Sequence, residues 1–220
     1  KFLMGLSFSS GLVLVMVAGA ELFTGSTMGI SAFVQKKINL RQLLSYWLQV
    51  YFGNFVGSLL LVALMFWSKQ YLVGNMAVAE AALKIASGKL SLDFSTAFFS
   101  GILCNILVCL GVWLAYSARN TSDRILAILV PITAFVALGF EHSVANMYLV
   151  PMGIVIKTWA TGIDLTKFHP ELLTWSNFVI KNLIPVTLGN IVGGSFIWLI
   201  YQYLYGEKTV KLTNKDGEKQ

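Results

Sequence analysis

Charge is what this chain has least of. Only 12% of its 220 residues are Asp, Glu, Lys or Arg, about half the share of a soluble domain. That excludes the solvated surface an ordinary globular chain presents. Cysteines and histidines number two each. Cys104 and Cys109 fall within one apolar run and read as packing residues, neither a disulfide framework nor a metal centre. His169 sits beside Pro170 in a connection, so His142 has no second histidine within the apolar segments. No HExxH helix or nucleophile elbow occurs, which leaves a membrane enzyme as the weaker rival class and gives no reason to expect a cofactor.

What the chain has instead is apolar length. Hydrophobic residues make up 56% of it and mean hydropathy is +0.72, which identifies an integral membrane protein. The net charge of +6 is no nucleic-acid signal, because the basic residues lie between apolar runs and in the last fifteen residues. At about 20 residues per crossing, five spans are expected: 2–34, 43–67, 94–116, 125–156 and 178–205. Together they form one transmembrane domain over 1–206. A charged cytoplasmic tail is expected over 207–220. The mixed stretch 68–93 is expected as a connection. The chain opens on Lys1-Phe-Leu and is apolar at residue 2, so upstream sequence, including one further span, is expected. Nine of the sixteen basic residues lie in the turns at Lys36–Arg41 and Arg119–Arg124 and in the tail, which places those turns and the C-terminus in the cytoplasm.

Two of the spans are interrupted. Gly19-Ala-Glu-Leu-Phe-Thr-Gly25 breaks the first and Gly139-Phe-Glu-His-Ser-Val-Ala-Asn146 the fourth. Ionisable side chains at that depth are costly and read as functional by default. Broken spans with a glycine and a glutamate at each break point to a transport pathway. Each break is echoed in the following span by Gly-Asn-x-x-Gly, in Phe52-Gly-Asn-Phe-Val-Gly57 and Leu188-Gly-Asn-Ile-Val-Gly193. The copies are three spans apart and so cross in opposite directions. This predicts an all-α membrane protein built as an inverted repeat of three plus three helices, with its first helix outside this chain.

Glu21-Leu-Phe-Thr-Gly25, Tyr51-Phe-Gly-Asn54, Gly101–Leu110, Gly139–Met147 and Asn182–Asn190 together resemble the formate/nitrite transporter family over nearly all of 2–205. The resemblance implies an aquaporin-like six-helix protomer, a homopentamer with one pore per protomer, and a bacterial inner-membrane location. It implies transport of a small monovalent anion across the lipid bilayer. Pro151-Met-Gly153 and Ile184-Pro-Val-Thr187 resemble the formate channels. The Thr-Gly-x-Thr-Met ending of Glu21–Met28 is more like the nitrite type. Formate is therefore the expected substrate, with nitrite or hydrosulfide as the alternative.

For individual residues the resemblance places His142 at the pore centre, facing Thr24. From the residues alone, Thr24 reads as a cap on the following half-helix. Glu21 and Glu141 read as structural, accepting hydrogen bonds from backbone N–H groups freed at the breaks. Asn54 and Asn190 read as ties from the breaks to the next helices. Asn105 is either a pore-lining donor or an interhelical hydrogen bond. Lys89 reads as a solvated lysine, whereas the family places its counterpart toward the pore to attract the anion. Two apolar constrictions follow from the resemblance, one of Leu22, Phe23 and Val108 and one of Phe8, Leu12 and Phe135. A bare anion in such a dry slit costs several kcal/mol even after relaxation. Protonating a carboxylate of pKa about 4 at pH 7 costs only about 4 kcal/mol. Passage as the neutral acid, assisted by protons, is the expected mechanism, and His142 is chemically suited to supply the proton.

Overall fold

The structure, a computed structural model, describes residues 1–206. The expected charged tail lies outside the described residues. Those residues contain helices and no strands. In order they are α1 (Phe2–Ala18), α2 (Phe23–Ser26), α3 (Ile30–Val34), α4 (Leu40–Trp67), α5 (Ala77–Leu90), α6 (Phe94–Ser117), α7 (Thr121–Leu138), α8 (Ser143–Trp159), α9 (Trp175–Asn177) and α10 (Ile184–Tyr201). A π-helical turn, Phe178–Leu183, joins α9 to α10.

The starts of the long helices follow from their capping residues. Asn39 and Gln42 form a reciprocal capping box at α4. Asp93 accepts from Thr96 at α6, and Asn120 from Asp123 at α7. The bond from the Thr96 backbone N–H, more than that from its hydroxyl, holds the Asp93 carboxyl below the usual carboxylate range.

Four helical stretches (Leu40–Trp67, Phe94–Ser117, Thr121–Leu138 and Trp175–Leu204) are long and apolar enough to cross a membrane. The pair Phe2–Ala18 and Phe23–Val34, bent by 60°, makes a fifth. The fourth expected span comprises α7 and α8 as separate helices. Both breaks are shorter than the sequence suggested. They cover residues 19–22 and 139–142, and Thr24 and Gly25 already belong to α2. The stretch 68–93 is not a plain connection. It contains α5, which packs along α8 and buries Ala79, Leu83, Ala86 and Leu90. Its Ala- and Lys-rich sequence lacks membrane-length hydropathy, so the apolar-run criterion passed over it.

Two apolar clusters flank the breaks. One joins α4, α5, α8 and the π turn, with Met147, Val150 and Phe178 inside it. The other joins α1, α6 and α7 around Leu12, Val108 and Phe135. Between α6 and α10 the backbones approach closely. A Cβ at Gly189 would run into the Phe98 carbonyl, and one at Gly193 into that of Ile102. Glycines at such a contact let two membrane helices pack backbone to backbone. Their repeat counterparts on α4, Gly53 and Gly57, face open space.

Candidate functional site

The two breaks are built to one plan. Gly19 (φ 74°) and Gly139 (φ 79°) take the left-handed conformation that ends α1 and α7, which glycine adopts without Cβ strain. Three residues on, Leu22 (φ −119°, ψ 123°) and His142 (φ −115°, ψ 116°) are extended and open the next helix. The backbone exposed at each break is tied by an asparagine. Asn54 accepts from the Phe23 N–H at 2.9 Å and donates to the Glu21 carbonyl at 3.0 Å. Asn190 accepts from the Ser143 N–H at 2.9 Å and donates to the Glu141 carbonyl at 3.0 Å. Asn190 is fully buried and also donates to the Gly101 carbonyl, which joins the second break to α6.

The breaks meet at one contact. Thr24 Oγ1 lies 3.0 Å from His142 Nε2, and both residues are buried. His142 is the N-cap of α8, and its Nδ1 accepts from the Ala145 N–H at 3.1 Å. A backbone N–H can only donate, so the neutral ring carries its hydrogen on Nε2 and donates it to Thr24. The Thr24 hydroxyl hydrogen has no other acceptor among the described residues. Thr24 is therefore not the cap read from the sequence. The cap position of α2 belongs to Leu22, which offers no side-chain acceptor.

Aromatic rings close around the histidine. Phe135 stacks on it at 5.7 Å, Phe8 meets it at 6.3 Å, and Phe8 contacts Phe135 edge-on at 5.6 Å. Leu12, Val108 and Phe135 belong to one buried cluster, with Leu22 packed against it. Phe23 is buried as well. Its ring meets Tyr51 edge-on at 4.8 Å and lines a groove of about 460 Å³ between α4 and the α10 side. Of the two expected apolar sets, the structure gathers Leu22 and Val108 with Leu12 and Phe135 in one cluster and packs the Phe23 ring on Tyr51.

Asn105 acts as an interhelical tie. Its amide nitrogen lies 3.1 Å from the Thr24 carbonyl, 3.0 Å from Thr27 Oγ1 and 2.6 Å from the Asn190 carbonyl, while its buried Oδ1 has no protein partner.

The carboxylates bind side chains, not the freed backbone N–H groups expected from the sequence. Glu21 is exposed and accepts from Ser26 and Tyr46. Glu141 is 4% exposed. Its Oε1 accepts from Lys89 Nζ at 2.8 Å, and its Oε2 from Asn146 at 2.7 Å and Asn182 at 3.2 Å. Lys89 is thus the ion-pair partner of Glu141 and not a freely solvated lysine. Sequence reasoning missed Asn146, Asn182 and Ser100, whose hydroxyl accepts from the Glu141 N–H. Asn146 and Asn182 lay within motifs already singled out, but nothing local tied them to a carboxylate. Among the described residues no group of three or more His, Cys, Asp or Glu could hold a metal ion.

A family model described as formate/nitrite transporter matches residues 1–204. The chain is 43% identical over 211 residues to the formate channel FocA of Escherichia coli (strain K12), covering 91% of this chain and 74% of that protein. It is 36% identical over 206 residues to the formate channel BtFdhC of Bacillus thuringiensis, covering 91% and 72%. A solved pentameric formate channel with formate bound superposes with a TM-score of 0.83 at 41% identity, over 93% of this chain and 83% of that one. A family model matching residues 1–204, with 43% identity to a named formate channel over 91% of this chain, places this chain in the formate/nitrite transporter family.

Proposed function

We propose that this membrane protein conducts a small monovalent anion, with formate as the substrate, through a pore centred on Thr24 and His142. The observation that carries the reading is the buried Thr24–His142 contact between two helix breaks. The free donor at that point is the Thr24 hydroxyl, and the His142 Nε2–H, now given to Thr24, becomes a second when an anion displaces that contact. Both suit a carboxylate oxygen and neither carries a net charge that would trap it. Leu12, Val108, Phe135 and Leu22 on one side, with Phe8 over the ring, form the apolar constrictions. Lys89 supplies positive potential at the outer approach.

Proton assistance is part of this reading, with one constraint from the geometry. An imidazolium needs hydrogens on both nitrogens, and Nδ1 is occupied as an acceptor from Ala145. While the cap bond stands, His142 offers a hydrogen bond and not a transferable proton. Delivery of a proton from His142 requires the ring to leave its cap. The alternative substrate, nitrite or hydrosulfide, is favoured by one observation, the nitrite-type ending of Glu21–Met28.

The matched breaks support an aquaporin-like inverted repeat of three plus three helices. In it α6 packs on α10 through Gly189 and Gly193, and a further helix seats on α4 over Gly53 and Gly57. Assembly as a homopentamer, with the C-terminus in the cytoplasm of a bacterial inner membrane, completes the reading. Uptake into proteoliposomes, comparing formate, nitrite and hydrosulfide from pH 5 to 8, tests it. Formate flux that rises as pH falls supports the reading. Dominant nitrite or hydrosulfide flux moves the substrate to the alternative, and no flux of any of the three rejects the channel.

A further inference from the structure

The Lys89–Glu141 pair is held by a third side chain that the channel reading leaves unused. Asn182 is fully buried, although its neighbours Ile180 and Lys181 are exposed. It lies in the π-helical turn Phe178–Leu183, where the Ile184 N–H bonds to the Val179 carbonyl five residues back. The cause is Pro185. It has no N–H for the Lys181 carbonyl, and its ring crowds that carbonyl. The extra residue in the turn, a device often found at functional sites, sets Asn182 facing the second break.

There its amide makes three contacts. Its nitrogen donates to Glu141 Oε2 at 3.2 Å and approaches the Lys89 carbonyl at 3.4 Å, and its oxygen accepts from Asn146 at 2.7 Å. Asn146 donates to the same Oε2. Both amides therefore hold one carboxylate oxygen, and only Oε1 is left to Lys89. The ammonium carries three hydrogens. One goes to Oε1, and the side chain is 15% exposed. The remaining two have no acceptor among the described residues.

We infer that Asn182 is a positioning residue: it fixes the Glu141 carboxylate so that Lys89 keeps free N–H groups for the incoming anion. Without it the carboxylate turns, takes both oxygens toward the ammonium and neutralises it more fully. The contact to the Lys89 carbonyl works in the same direction, because it holds the last turn of α5 in register.

The inference rests on the channel reading for its transport readout, so the test has a second readout that does not. The full chain in proteoliposomes is compared with Asn182→Ala, Lys89→Met and the double variant, measuring formate flux against concentration. The Asn182→Ala variant is expected to raise the half-saturating concentration about threefold or more, and to change it little further once Lys89 is absent, as coupled neighbours do. In parallel, acetylation of lysines is followed by mass spectrometry. The Lys89 side chain is expected to label severalfold more slowly in Asn182→Ala, because the freed carboxylate oxygen pairs with its ammonium, with other lysines unchanged. Pro185→Ala repeats the labelling test with the amide intact, and covers the case in which Asn182→Ala does not fold. Independent, multiplying effects of the two substitutions, or unchanged Lys89 labelling in a folded variant, overturn the inference. Absent formate flux in the parent overturns the channel reading alone, and the labelling then decides for Asn182.

Discussion

Asn54 and Asn190 make the same pair of hydrogen bonds across two helix breaks, with donor–acceptor distances of 2.9 and 3.0 Å in each. They differ in surroundings. Asn190 is fully buried and ties a third group, the Gly101 carbonyl, while Asn54 is half-buried. An unpaired buried polar group costs about 1–3 kcal/mol. The Asn190→Ala variant leaves three such groups and is expected to destabilise the protein by at least about 2 kcal/mol, and Asn54→Ala by less. Thermal unfolding of the detergent-solubilised variants ranks them, and an equal loss would mean that burial does not set the cost.

His142→Asn is expected to keep most formate flux if the ring acts through its Nε2–H, because an amide also donates there. His142→Phe, which removes the donor and leaves Thr24 alone at the centre, is expected to lower flux by tenfold or more, the loss of about 1.4 kcal/mol in the barrier. A proton relay through the ring makes the opposite forecast for Asn, near-complete loss. Uptake rates of the two variants separate the cases.

The pH dependence has a definite sign. Formate binds its proton with a pKa of about 4, so each unit of pH lost between 8 and 5 raises the neutral fraction about tenfold. Flux at fixed total formate should rise as pH falls. In His142→Asn the slope should persist if bulk protons supply the neutral acid, and flatten if the ring does.

Thr24→Val removes the acceptor of the His142 Nε2–H in a site where Thr24 is fully buried. Flux is expected to fall about tenfold or more, and Thr24→Ser, which keeps the hydroxyl, to restore most of it. A Val variant that matches the parent would remove Thr24 from the pathway.

Removing one member of the Lys89–Glu141 pair leaves the other charge buried without a partner. Such losses run to about 3–5 kcal/mol. Lys89→Met alone is expected to destabilise more than the double variant Lys89→Met/Glu141→Gln, which leaves no orphan charge. Unfolding midpoints of the three proteins check the order.

The breaks were legible because ionisable and glycine residues inside an apolar run are rare enough to stand out. The asparagine ties were legible because the repeat placed Asn54 and Asn190 at matching positions. The Lys89–Glu141 pair was not, since a contact across 52 residues leaves no local pattern and α5 carries little hydropathy. The packing of Phe23 against Tyr51 was not legible for a related reason. Helix α2 has four residues, too few to fix a phase, so nothing in the sequence says which way that ring turns. Pro185 was read only as part of a family likeness, and nothing in the sequence said that the turn before it would absorb an extra residue and bury Asn182.

The contact between Thr24 and His142 has an owner in neither half of the molecule. One side chain arrives with the first break and the other with the second, and on the proposed reading an anion would need both. The proposed pore centre is in this respect an interface within one chain. Substitutions far from it that slide one half against the other, such as a bulky residue at Gly193, would silence conduction with every pore-lining side chain still in place.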